Sequence, residues 1–144
     1  MKTILCLSIL AILLSVCSSP CLALIEIADV NKDRARELEI EIRAQPSGPD
    51  AVRVELEFPT KGELKGFSRV NLEISQGKKL LLSSSLLPEK ESKPGRILVS
   101  FIADRAQLDK VSLMVMVGEF DGRTGYLIRV KDFVDLSKLN SIFE

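Results

Sequence analysis

Asp29-Val30-Asn31-Lys32-Asp33 places oxygen-bearing side chains at alternate positions. A calcium-binding loop offers its first, third and fifth ligands at this spacing. Calcium is therefore the ion this stretch would take, through Asp29, Asn31 and Asp33. Two residues oppose it. Arg34 stands where such a loop turns sharply on a glycine, and Ile40 stands where a closing bidentate Glu is expected. The competing reading is a solvated turn leading to a strand at Glu37.

Ser75-x-x-Lys78 and Arg123-Thr124-Gly125 resemble two elements of serine penicillin-binding enzymes and β-lactamases. In that family the Ser opens a helix and the Lys follows one turn later. Here Ser75 ends an alternating run, Gly77 sits between the two residues, and the middle Ser-Asp-Asn element is missing. Chance spacing is the better explanation.

Carboxylates are plentiful, so a carboxylate-dependent hydrolase ranks as a third reading. Glu37, Glu39, Glu41, Glu55, Glu57 and Glu73 alternate with apolar residues, which places them on solvent faces of strands with Arg43, Arg53 and Arg69 as cross-strand partners. A general acid needs partial burial to raise its pKa, and this pattern predicts none. Phe120 and Tyr126 flank the Asp121–Gly125 turn and are the ligand-contact candidates. The simpler role for them is a cross-strand aromatic pair pinning the hairpin. Lys61, Lys65 and Arg69, and again Lys90, Lys93 and Arg96, are interspersed with Glu63, Glu89 and Glu91 and read as solubilising surface.

Composition narrows the chemistry further. The 144 residues include no His and no Trp, and the three Cys (Cys6, Cys17, Cys21) all lie in the first 23 residues. Residues 24–144 therefore have neither imidazole nor thiol. That removes Ser-His-Asp and Cys-His catalysis, His or Cys metal sites and disulfide staples from this region. Lys and Arg number 20 against 20 Asp and Glu, which argues against a nucleic-acid partner, because phosphate affinity needs a cationic surplus.

The first 23 residues have the layout of a secretory signal. Lys2 precedes an apolar run from Ile4 to Val16, and Cys21-x-Ala23 puts small side chains where a signal peptidase reads. The run is shorter than the ~20 residues a membrane-spanning helix needs, so no stable span is expected after signal removal. Leu14-Ser15-Val16-Cys17 resembles a bacterial lipobox, which would imply a lipid anchor on Cys17. Val16 stands where that pattern has Gly or Ala. The expectation is a secreted or periplasmic protein held together by packing alone.

Most of the remaining chain must form strands. Leu38, Ile40 and Ile42 alternate with Glu37, Glu39, Glu41 and Arg43. Val52, Val54, Leu56 and Phe58 alternate with Arg53, Glu55 and Glu57. Val70, Leu72 and Ile74 alternate with charged or polar residues. Period two puts one face on a core and the other in water, whereas a helix would place Leu38 and Ile40 on opposite sides. Further strands are expected over Leu80–Leu87, Ile97–Ala103, Val111–Val117 and Tyr126–Val130, with Leu24–Ile27 as a short edge strand. Val111–Val117 is apolar on both faces apart from Ser112, which predicts a central position. Turn-rich segments separate the runs, and Ser137–Glu144 is a short helical turn or a tail.

Asp104-x-Ala106-x-Leu108, between the runs at Ile97 and Val111, resembles the corner before the sixth strand of immunoglobulin-like domains, with Leu108 where that family usually has Tyr. The expected fold is all-β: one antiparallel two-sheet sandwich of about seven to eight strands, immunoglobulin-like in size. A small barrel or jelly roll is the competing arrangement. The expected function is binding, without catalysis or cofactor, to a protein or an envelope component. A structural envelope subunit assembling through sheet edges is the alternative.

Overall fold

Alternating residues become paired strands over most of the chain. The computed structural model describes residues 25–90, 93–118 and 123–140. The described residues form β1 (Ile25–Asp29), β2 (Glu41–Pro46), β3 (Ala51–Pro59), β4 (Phe67–Gln76), β5 (Lys79–Leu86), β6 (Arg96–Asp104), β7 (Val111–Val117) and β8 (Arg123–Arg129). Two short helices, α1 (Lys32–Glu37) and α2 (Leu136–Asn140), and three short 3-10 segments complete them. The signal-like leader, Cys17 and Phe120 lie outside the described residues. Among the described residues no helix is long and apolar enough to cross a membrane.

The strands make a two-sheet sandwich. One sheet has the order β1-β8-β7-β4-β5 and the other β2-β3-β6. Val52, Val54, Leu56 and Phe58 of β3 and Val99 of β6 face Val70, Leu113, Val115 and Ile128 of the larger sheet, and all of these are buried. The alternation of β3 thus reads directly as inside and outside. β7 is the middle strand of its sheet, as its two apolar faces require. Val111, Leu113, Val115 and Val117 point into the sandwich, and Met114 and Met116 lie on the outer face.

Two expectations need correction. The sandwich is not wholly antiparallel, because β1 runs parallel to β8, with Ile27 opposite Gly125. These strands come from opposite ends of the chain, so no hairpin fixes their relative direction. Nor does a strand begin at Glu37. Residues 32–37 form α1, capped by the Asn31 side chain, and β2 starts only at Glu41. The helix ends in a Schellman turn: Ile40 N–H donates to the Ala35 carbonyl at 2.8 Å and Glu39 N–H to the Arg36 carbonyl at 3.1 Å. Glu39 occupies the left-handed position of this turn, at φ 54, where glycine is usual. Ala35, Leu38 and Ile40 are nevertheless buried, so the apolar spacing does serve the core, through a helix end.

The segment after Asp104 is a 3-10 turn over Arg105–Lys110. Asp104 Oδ1 accepts the Ala106 N–H at 2.8 Å, and Leu108 is fully buried. The turn carries the chain from β6 in one sheet to β7 in the other.

Candidate interaction surface

The three candidate calcium ligands each have a separate partner. Asp29 Oδ1 is 2.9 Å from Arg129 Nη2. Asn31 Oδ1 accepts the Arg34 N–H at 2.8 Å, and Asp33 Oδ1 is 3.0 Å from Arg36 Nη1. The alternate oxygens therefore form a helix start and its neighbouring ion pairs. Among the described residues no three His, Cys, Asp or Glu side chains gather closely enough to hold a metal ion. The sequence signal for the cap was present: an Asn followed by an acid in the first turn of a short helix.

Tyr126 is only 5% exposed and belongs to the core. Its hydroxyl donates to Glu63 Oε2 at 3.0 Å, and Arg34 bonds the same carboxylate oxygen. Burial pushes the phenol pKa up, and the neighbouring carboxylate adds to this. Such a ring offers no stacking platform to a ligand. The hydrogen bond to Glu63 ties β8 to the 3-10 turn at Gly62–Leu64, a contact 63 residues apart that periodicity does not reveal.

Nor is Glu57 solvated as its alternation suggests. It lies on the outer face of the small sheet yet is 6% exposed, because guanidinium groups cover it. Arg43 Nη2 lies 2.9 Å and Arg96 Nε 2.6 Å from its carboxylate. Arg43, opposed by burial and helped by Arg96, holds the Glu57 carboxyl below its ordinary value. Arg34 and then Tyr126 do the same for Glu63, and Lys61 for Glu39. A general acid must shift upward; these three carboxyls shift the other way.

Ser75 and Thr124 do not meet. Ser75 follows Ile74, which is opposite Val111 at one end of β7, whereas Thr124 is opposite Val117 at the other. Two concavities lie away from Glu39 and Glu63. A cleft of about 340 Å3 between β2 and the C-terminal segment is lined mainly by Ile42, Ala44, Pro46, Phe133 and Leu139. A hollow of about 380 Å3 gathers Lys110, Arg129 and Lys131 with Asp109. Arg129 is already paired with Asp29, and Lys110 Nζ donates to Gln107 Oε1 at 3.3 Å.

Among the described residues, β5 carries three consecutive exposed leucines. It is the outer strand of the larger sheet, paired on one side with β4 and open on the other. Leu80, Leu81 and Leu82 are 52%, 49% and 45% exposed. The register to β4 shifts between Ile74 and Ser75: Leu82 faces Ile74 and Leu80 faces Ser75, so Leu81 is an extra residue on β5. An edge strand presents a row of backbone N–H and C=O groups to any extended chain, and most natural edges carry devices against such pairing. β2 carries Glu41, Arg43 and a terminal proline, Pro46. β1 carries Glu26 and Asp29. Beside β6, Glu89 N–H donates to the Leu98 carbonyl at 2.7 Å, which covers part of that edge. After Lys79, β5 has no charge and no proline through Leu86. No family model matches the chain, and comparison with curated proteins and with solved structures returns no match.

Proposed function

We propose that the chain is an exported interaction module of immunoglobulin-like architecture, acting without catalysis, whose β5 edge takes up an extended segment of a protein partner. The observation that carries this reading is the eight-residue edge, free of charge and proline after Lys79, with three half-exposed leucines. Strand addition would give the main-chain groups their partners, and the leucines would supply apolar contact. The signal-like layout of the first 23 residues supports export. The strand pairing supports the architecture: β2-β3-β6 corresponds to the A, B and E strands of immunoglobulin domains, and β4, β7 and β8 to C, F and G. The core Trp and disulfide of antibody domains have no counterpart here, since residues 24–144 contain neither Trp nor Cys. The alternative reading, a subunit propagating edge to edge, is less well supported because the other end of the same sheet is β1, with Glu26 and Asp29.

Amine cross-linking in the native envelope tests the proposal. Lys78 and Lys79 stand at the entrance to β5 and are expected to link to a protein segment. Leu81→Lys, which adds a charge to the edge, is expected to abolish those links. Links that survive Leu81→Lys unchanged, or that form only from lysines remote from β5, would overturn the reading.

A further inference from the structure

We infer that the segment taken up by β5 alternates apolar and polar residues and carries acidic residues at the end that lies beside Lys78 and Lys79. This rests on the preceding reading of the β5 edge and names the chemistry of its occupant.

The side chains of β5 set the alternation. Leu82, Ser84 and Leu86 stand opposite Ile74, Leu72 and Val70 on β4. Those three β4 residues belong to the core or pack against it, so Leu82 and Leu86 lie on the side of the sheet that faces the sandwich interior. Ser83 and Ser85 stand opposite Glu73 and Asn71, on the outer side. Directly opposite residues of neighbouring strands share a face. A strand added beside Leu82–Leu86 therefore needs apolar side chains toward the interior, where they cover Leu82, and polar ones toward the outer side, beside Ser83 and Ser85. The bulge at Leu81 interrupts this ladder. Lys79 and Leu80, opposite Gln76 and Ser75, lie beyond the bulge and form a separate end of the edge.

Charge distinguishes that end. Lys78 and Lys79 are exposed. Lys61, Lys93 and Lys138 each stand beside a carboxylate, but among the described residues Lys78 and Lys79 have no such partner. Lys110 and Lys131 line the hollow against Gln76 and Gly77 of the same turn, with Asp109 as its acidic residue, and they add to the positive field there. The one acid of β4, Glu73, lies in mid-strand opposite Ser83. At the far end of β5, Leu87 and Pro88 are uncharged, and Glu89 is held by Arg53 and by the Leu98 carbonyl. The edge is thus positive at one end only. An extended chain with carboxylates at that end meets ammonium groups that lack a counter-ion, whereas one with lysines there meets like charge.

Fluorescence anisotropy of labelled peptides tests the inference on the exported chain. Probes of about ten residues span Lys78 to Leu86 at ~3.3 Å per residue. They alternate Val and Thr and carry two Asp at the amino end or at the carboxyl end, because an edge can pair in either direction. Matched probes carry two Lys instead. One of the Asp probes is expected to bind about tenfold more tightly than its Lys match, the combined effect of several exposed charge pairs. The difference is expected to shrink in about 1 M salt. Reversing both charges, Lys78→Glu with Lys79→Glu, is expected to reverse the preference. Both positions are exposed, and an unchanged melting curve checks that the fold is kept. A methyl group on every peptide nitrogen of the probe removes the donors that strand addition uses and is expected to abolish binding. Asp and Lys probes that bind equally, or a preference that survives the charge reversal, would overturn the inference, while loss of binding on methylation would keep the β5 reading. Binding undiminished by methylation would overturn the inference and the β5 reading together. So would the failure of every probe to bind, whether the edge is bare or covered by a second copy.

Discussion

Tyr126 donates its hydroxyl to Glu63 Oε2 at 3.0 Å, joining β8 to the turn that follows β3. Arg34 reaches the same carboxylate from α1. Three segments that are distant in sequence therefore share one anion. The carboxylate is exposed, whereas the phenol is buried, so the phenol has more to lose if the bond is broken.

Tyr126→Phe removes the donor and leaves Glu63 to Arg34. The expected cost is about 0.5–1 kcal/mol, toward the lower end for a hydrogen bond because the acceptor is solvated. Chemical denaturation checks it, read as a lower midpoint with unchanged slope. A loss several times larger would mean that the ring's packing is also disturbed.

Glu57 governs part of the acid sensitivity. Arg43 and Arg96 hold its folded carboxyl below the ordinary value of 4.5. The unfolded chain therefore binds that proton more readily. The contribution is fully present above the ordinary value and is lost as pH falls through the lower, folded one. Glu57→Gln is expected to cost about 1–3 kcal/mol near neutrality, since charge-assisted bonds to two guanidinium groups are weakened. It should also flatten the acid limb of midpoint against pH. An acid limb unchanged by Glu57→Gln would assign that sensitivity elsewhere, with Glu39 and Glu63, which shift in the same direction, as the next groups to test.

Period two revealed the strands because side-chain direction in a strand depends on sequence neighbours alone. Val52 to Phe58 and Val111 to Val117 show it most plainly. It failed at Leu38 and Ile40, where a helix end buries the same residues that a strand would. It misplaced Glu57, whose solvent face is roofed by Arg43 and Arg96 from neighbouring strands. The parallel pairing of β1 was hidden because its partner lies about a hundred residues away. The leucines of β5 were visible in sequence, but their exposure was not. That depends on β5 being the last strand of its sheet, a fact of topology.

Asn31 distinguishes a helix cap from a calcium ligand. As a cap it accepts the Arg34 N–H, and Asn31→Ala is expected to cost about 0.5–2 kcal/mol. Asn31→Asp should restore stability, because Asp caps equally well. Added calcium should leave the melting temperature of all three chains unchanged. A calcium-dependent rise lost in Asn31→Ala would favour the ligand role.

Gly125 is required by its neighbours on β7. A Cβ there would lie 2.7 Å from Met114 Sδ and 3.4 Å from Met116 Sδ, so the two methionines occupy the space a side chain would need. Gly125→Ala must displace the Met114 sulfur, at an expected cost of about 1–3 kcal/mol for overpacking. Thioether chains are flexible, which favours the lower part of that range. Shortening Met114 to Ala makes room for the new methyl group. Gly125→Ala combined with Met114→Ala should therefore cost less than the sum of the two single changes, by a coupling of about 0.5–3 kcal/mol. Urea midpoints of the four chains measure it. Strict additivity would mean that the sulfur swings aside freely, and that glycine at this position answers to the pairing with Ile27 on β1 instead.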